Sequence, residues 1–427
     1  VHHLAVYQIS KFPNGFTVAT AFMPQMRSVS VGIWVGVGSR FEAPEVNGVC
    51  HFIEHVVFKG TAKRSAREIS EAVEGLGGYL NAFTSEEATC FHARVSHEHF
   101  GSVLDVLMDM LLSPSLRPAD IDKEREVIKE EIAMYLDEPQ HQVQEVLNQI
   151  LWQGHPLGRP ITGTPETLDS IGRARIASFL HQNYVGANSV LVVAGSLRHS
   201  QVVKAAERYI RRFRVGSRPA FVAATEPQTE PVLKLVSRDT EQTQIAFGIR
   251  TCSRYAPRRY ALRLLNTVLG ENMSSRLFQV IREDRGLAYS IYSTPSFFAD
   301  TGDLVISAGL DEGNIQRVMR LVLAELRRLR EKLVSQAELR RARDYVIGQM
   351  ELSLEATEAQ MNWAGEQVLG YGRVLRQETV QEKLASVTRS DVREAARAFF
   401  KPERFNLALV TARKRVPEVR KLLDAGI

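Results

Sequence analysis

The sequence predicts an α+β protein built as two similar α/β halves, the product of an internal duplication. Three observations carry this reading. Runs rich in β-branched and aromatic residues alternate with helix-period stretches along the 427 residues. Between Val215 and Pro231 lie Gly216, Pro219 and Pro227 among mixed polar residues, a linker signature. After that linker the order of elements repeats. The expected division is therefore 1–215, a linker over 216–231, and 232–427.

Taken in order, Asn14-Gly15 is a turn signal between two strand-like runs. Residues 16–22 and 29–37 read as strands. A helix follows over 49–58, and another over 65–76 with Ser65 as N-cap and Gly77-Gly78 as its stop. Residues 79–95 alternate enough for one or two strands, and 100–112 is an amphipathic helix. A Glu- and Lys-rich helix spans 121–136 before Pro139, followed by a helix over 143–152 and a rigid loop at 155–160. A helix at 176–182, a strand at 190–194 and a helix at 202–212 complete the first half. The second half reads as a strand at 244–249, helices at 260–269 and 277–283, and strands at 289–298 and 303–310. Helices at 315–329, 337–354, 360–369 and 390–399 follow, with a closing strand at 406–410.

Composition is that of an ordinary globular protein, 44% hydrophobic and 24% charged. The net charge of +5 is spread out, and no nucleic-acid module is present. The odd cysteine count (Cys50, Cys90, Cys252) argues against a disulfide framework and favours a reducing compartment. The most apolar stretches are short and Gly-bounded, so they read as buried strands and no membrane span is expected. The first residues lack a basic region followed by an apolar run, which predicts no secretory signal.

The chemistry concentrates in His51-Phe52-Ile53-Glu54-His55. On a helix, Val49, Phe52, Ile53, Val56 and Val57 form one apolar stripe, and His51, Glu54 and His55 gather on the other side. Two imidazoles four residues apart make a metal clamp, with a carboxylate between them as a base. Zinc needs a third protein ligand and an open position for water. Glu124 and Glu131 are seven apart, share a helix face, and either can serve. Glu126 and Glu130 point elsewhere. A metal-bound water deprotonated by Glu54 could attack a polarised carbonyl, and Glu54 could pass the proton to the leaving amine.

Laying the second half over the first puts 263–267 on 51–55 and 342–349 on 124–131. Arg263, Asn266, Thr267, Ala342 and Gln349 then stand where the first half has metal-type residues. One half keeps the chemistry; the other is expected to keep only the shape.

The motif, with Phe58-Lys59-Gly60-Thr61, Asn81-Ala82-Phe83-Thr84-Ser85, Glu124-Arg125-Glu126-Val127-Ile128 and His155-Pro156-Leu157-Gly158-Arg159-Pro160, resembles the pitrilysin family of zinc peptidases. Its branch with the β subunit of the mitochondrial processing peptidase and bacterial homologues is the best match. The resemblance runs over nearly the whole chain and implies zinc as cofactor. It selects Glu131 as third ligand, beside His51 and His55, and Glu124 as a residue orienting the site. Arg282-Glu283-Asp284-Arg285-Gly286-Leu287-Ala288-Tyr289 resembles the family's substrate element, in which Arg282 and Tyr289 would hold the carbonyl and steady the oxyanion. Arg276 and Arg285 stand nearby.

By the same resemblance each domain is a mostly antiparallel sheet packed with helices, and the chain is half of a clamshell around a chamber. A homodimer is implied, with Arg282 and Tyr289 completing the partner's site in trans. Peptides or unfolded segments would bind extended along Leu80, Asn81, Ala82, Phe83 and Thr84. A bacterial cytoplasmic location comes first, the mitochondrial matrix second. The alternatives are a non-catalytic core subunit of a respiratory complex, a catalytic subunit of a heterodimer, and a zinc lyase of the S-ribosylhomocysteine type. The first has lost the metal residues retained here, and the last is a short chain with a Cys-based site.

Overall fold

The structure, a computed structural model, describes residues 6–426. Residues 1–5, on which the expectation of no secretory signal rests, lie outside them. The hairpin at Asn14-Gly15 forms: β1 (Val6–Lys11) pairs antiparallel with β2 (Thr17–Phe22). Gly15 takes φ +88°, the left-handed region this turn requires, and a Cβ there would lie 2.8 Å from Ala187.

The first sheet adds β3 (Ser28–Val35), β4 (Tyr79–Thr84), β5 (Thr89–Ser96) and β6 (Ser189–Gly195), in the order β1-β2-β6-β3-β5-β4. Only β2 and β6 run parallel; the other neighbours are antiparallel. The second sheet contains β7 (Val232–Ser237), β8 (Thr243–Arg250), β9 (Ser290–Phe297), β10 (Gly302–Leu310) and β11 (Phe405–Thr411), in the order β7-β11-β8-β10-β9. Its one parallel pair is β7 with β11. Leaving out β1, the two sheets have one topology with the parallel pair in the same place. The repeat seen in the sequence is thus a repeat of sheet connectivity.

The first five helices are α1 (Val49–Val56), α2 (Ala66–Glu74), α3 (Phe100–Leu112), α4 (Pro118–Asp137) and α5 (Pro139–Leu151). Helices α1 to α3 cover one face of the first sheet, where Phe52, Ile53, Ile69, Val103 and Leu107 pack with Val31, Ile33, Phe91 and Ala93. The opposite face presents Ala19, Ala21, Trp34, Cys90, Val190 and Val192, and it is covered by Met361, Ala364 and Val368 of the helix Thr357–Tyr371. Burying Met361 and Val368 contributes roughly 1.5–3 kcal/mol each. Gly365 lets that helix come close, since a Cβ there would lie 2.3 Å from the Trp34 indole.

The two compact units therefore differ from the contiguous spans 1–215 and 232–427. The first holds the residues up to Ile132, Arg159–Val222 and Glu351–Leu375; the second holds Ala133–Gly158, Ala223–Met350 and the residues from Arg376 on. In the second unit, Val143 and Leu147 of α5 cover Ala246, Ala408 and Val410. Each sheet is apolar on both faces and takes its outer cover from the other half of the sequence. Among the described residues no helix is long and apolar enough to cross a membrane.

Candidate metal centre

Helix α1 starts at Gly48, whose φ of +95° suits glycine and which has no side chain to cap the helix. The buried Glu42 does so instead. Its Oε2 accepts from the Gly48 N–H at 2.7 Å and from Asn47 Nδ2 at 2.9 Å, and its Oε1 accepts from the Cys50 N–H at 2.8 Å. Burial pushes the Glu42 carboxyl upward, against these bonds. The Arg159-Pro160 end of the loop singled out in the sequence docks here: Arg159 Nη1 donates to the Glu42 carbonyl at 2.9 Å and Asn47 Nδ2 to the Pro160 carbonyl at 3.0 Å.

The predicted apolar stripe is buried to the last residue: Val49, Phe52, Ile53, Val56 and Val57 all lie in the core. Helix α4 brings the carboxylates. Glu131 Oε2 lies 3.8 Å from His51 Nε2 and 3.5 Å from His55 Nε2. The ligand atoms of these three residues lie within 4.8 Å of one another, and no other such cluster occurs among the described residues. Two imidazole nitrogens and one carboxylate oxygen are a zinc donor set, and tetrahedral bonds of about 2.0–2.1 Å put donors roughly 3.3–3.4 Å apart. The two carboxylate-to-imidazole spacings, 3.8 and 3.5 Å, need only a small inward shift, and this donor set fits zinc. Burial, then the charge of His55, lowers His51 to about 4, which keeps its imidazole neutral and able to ligate near pH 7.

Glu124 is buried on the same helix. Its Oε2 lies 3.3 Å from His55 Nδ1 and its Oε1 2.9 Å from Lys59 Nζ. Burial alone would raise its carboxyl, but these two partners hold it below the ordinary range. Glu54 does not belong to the ligand cluster. It accepts a hydrogen bond from the Thr84 hydroxyl at 2.6 Å. Burial raises its carboxyl while Thr84 and His55 oppose the rise, a balance that suits a proton acceptor.

Strand β4 ends the first sheet's order, so its outer edge is unpaired among the described residues. Leu80, Ala82 and Thr84 face the α1 side of the sheet, whereas Tyr79, Asn81 and Phe83 face the other side. Asn81 Nδ2 donates to the Tyr79 hydroxyl, and its Oδ1 accepts from the Ala82 N–H at 2.9 Å. The Asn81 side chain is thus engaged locally at the strand.

Arg282 and Tyr289 lie in the second unit and near each other, the Arg282 guanidinium 5.9 Å from the Tyr289 ring and 5.0 Å from the Phe278 ring. Tyr289 is 74% exposed. Arg276 is bound to Glu338 and Glu325, and Arg285 to the Val280 carbonyl. Among the described residues no ion pair engages Arg282. Arg282 sits on a π-helical turn, Phe278–Glu283, a geometry frequent at functional sites.

In the second unit the helix Arg259–Asn266 carries no ligand pair. Arg263 instead grips Glu271 with both terminal nitrogens, and the Thr267 hydroxyl donates to the same carboxylate at 2.6 Å. A built-in ion pair stands where the sequence overlay puts the metal clamp. Sequence reasoning assigned no part to Lys59, Glu42 or the Thr84 hydroxyl. Only Lys59 carried a signal, its place four residues after His55.

Residues 17–165 match the insulinase (peptidase family M16) model, and residues 170–346 match the peptidase M16 inactive domain. The chain is 36% identical to an uncharacterized zinc protease of Bacillus subtilis, YmxG, over 95% of this chain and 98% of that protein. It is 38% identical to an uncharacterized zinc protease of Mycobacterium tuberculosis over 90% of this chain and 89% of that one. A solved protease from Helicobacter pylori has the same fold, with a TM-score of 0.90 at 21% identity, covering 96% of this chain and 100% of that one. A chain of complex III2 from Candida albicans shares it too, with a TM-score of 0.82 at 19% identity, covering 97% and 99%. The chain belongs to the M16, or insulinase, family of peptidases.

Proposed function

We propose that the protein is a zinc-dependent endopeptidase of the processing-peptidase type, acting on peptides or unfolded segments enclosed in a chamber. The convergence of His51 Nε2, His55 Nε2 and Glu131 Oε2, with Glu54 beside them, carries the proposal. Zinc, when bound, supplies Lewis acidity that polarises a carbonyl and brings the pKa of water near neutral. Glu54, held by Thr84, takes a proton from the attacking water and delivers it to the leaving nitrogen as the C–N bond breaks and the new C–O bond forms. The outer edge of β4 accepts the substrate as an added strand through its main chain. Arg282 and Tyr289 donate hydrogen bonds to the oxyanion, acting on the site of a second copy in a homodimer.

The complete set of His51, Glu54, His55 and Glu131 supports an enzyme over a structural subunit of the same fold. The reading places the protein in the bacterial cytoplasm; the bacterial relatives support the bacterial part of it alone. Chelation tests the reading: a metal-stripped protein should lose cleavage of quenched fluorescent peptides and regain it with one equivalent of zinc. Undiminished cleavage after complete removal of metal contradicts it.

A further inference from the structure

Lys59 ends the 3-10 turn Val57–Lys59 that continues α1, one turn beyond His55. The chain is pinned from Lys59 onward. Gly60 bridges to Ser65, the Thr61 hydroxyl donates to Asp109 at 2.6 Å, and the Lys59 carbonyl accepts from Arg117. From there Nζ reaches Glu124 Oε1 at 2.9 Å, while the other oxygen of Glu124 meets His55 Nδ1 at 3.3 Å. The Glu124 side chain is 2% exposed and that of Lys59 36%, so a buried carboxylate is neutralised by a cation held at the rim.

The arrangement separates two carboxylates that spacing alone leaves equivalent. Both oxygens of Glu124 are occupied, one by an ammonium and one by an imidazole nitrogen. Glu131 is the carboxylate on that helix face whose oxygen points at both Nε2 atoms. We propose that Lys59 is a positioning residue of the metal centre: it holds Glu124 so that Glu124 fixes the His55 ring with Nε2 turned toward the metal, and it keeps Glu124 from competing with Glu131 as a ligand. This rests on the zinc-centre reading above.

The test is the zinc dissociation constant of the full chain, measured by competition with a chromophoric chelator. Removing an orienting partner of a metal ligand costs about 10- to 100-fold in affinity. Lys59→Met is expected to weaken zinc binding by about tenfold or more, and Lys59→Arg to restore most of it. Because Lys59 acts through Glu124, Lys59→Met should cause no further loss in a Glu124→Gln background. Wild-type affinity in Lys59→Met, or an undiminished loss in the Glu124→Gln background, overturns the proposal. Should Lys59→Met not fold, Lys59→Gln carries the same comparison. Glu131→Gln is the control: if it binds zinc like the wild type, the zinc-centre reading fails, whatever Lys59 does.

Discussion

The Thr84 hydroxyl donates to Glu54 Oε2 at 2.6 Å, so the edge strand offered to substrate is tied to the residue proposed to move the proton. A hydrogen bond to a charged group is worth about 1.5–3 kcal/mol, enough to fix the direction in which the carboxylate points. Thr84→Val, similar in shape, is expected to lower kcat by about tenfold with KM nearly unchanged, and Thr84→Ser to recover most of it. Steady-state kinetics on one quenched peptide check this; a change confined to KM contradicts it.

Arg282 is free of ion pairs among the described residues while Arg276 and Arg285 are engaged, which supports choosing Arg282 with the exposed Tyr289 as the substrate element. If the element acts in trans, a Glu54→Gln chain mixed with a Tyr289→Phe chain forms mixed dimers with one intact site each. Activity should rise above that of either variant alone after subunit exchange. No rise, in a mixture shown by mass to contain mixed dimers, contradicts sharing in trans.

Glu42 satisfies three donors at the start of α1. Glu42→Ala leaves the buried Gly48 and Cys50 N–H groups without this acceptor, while Asn47 keeps the Pro160 carbonyl, and is expected to cost about 2–4 kcal/mol in urea unfolding of the metal-free protein. A change below about 0.5 kcal/mol, the range of neutral surface substitutions, would show that the cap contributes nothing.

Glu338 supplies a pH signature away from the metal. Burial alone would raise its carboxyl, but hydrogen bonds from Arg276 and the Ser335 N–H, with the charge of Arg276, lower it from 4.5 to about 2. A depressed carboxylate stabilises the fold above its unfolded value, and this contribution is lost as pH falls from about 4.5 toward 2. The Glu338→Gln protein should show a flatter loss of urea midpoint between pH 5 and pH 3 than the wild type. Identical slopes would contradict the assignment.

The clamp was legible because four-residue spacing on a helix is local: His51, Glu54 and His55 needed only the period and the Val49 to Val57 stripe. The choice between Glu124 and Glu131 was not legible from spacing, because both share a face of α4. Their surroundings differ: Lys59 and His55 Nδ1 engage Glu124, whereas a Glu131 oxygen faces both Nε2 atoms, which supports Glu131 as the proposed ligand. The duplication was readable as an order of elements, but the exchange of covering helices was not. Val190 to Val193 of β6 show that both faces are buried, and nothing local says that the helix Thr357–Tyr371 supplies the second cover. The π-helical turns Thr267–Glu271 and Phe278–Glu283 read as ordinary helix, because five or six residues are too few to shift an apolar period. Strand β7 was missed because its residues are only half-buried and its pairing with β11 is long-range.

Glu54 is proposed to move the proton at a zinc centre held by His51, His55 and Glu131. The most direct test is metal content together with cleavage of a quenched peptide library, wild type against Glu54→Gln. Glu54→Gln should bind zinc like the wild type and lose about 10²- to 10⁴-fold in kcat. Equal cleavage by the two proteins, with equal zinc content, would contradict the account.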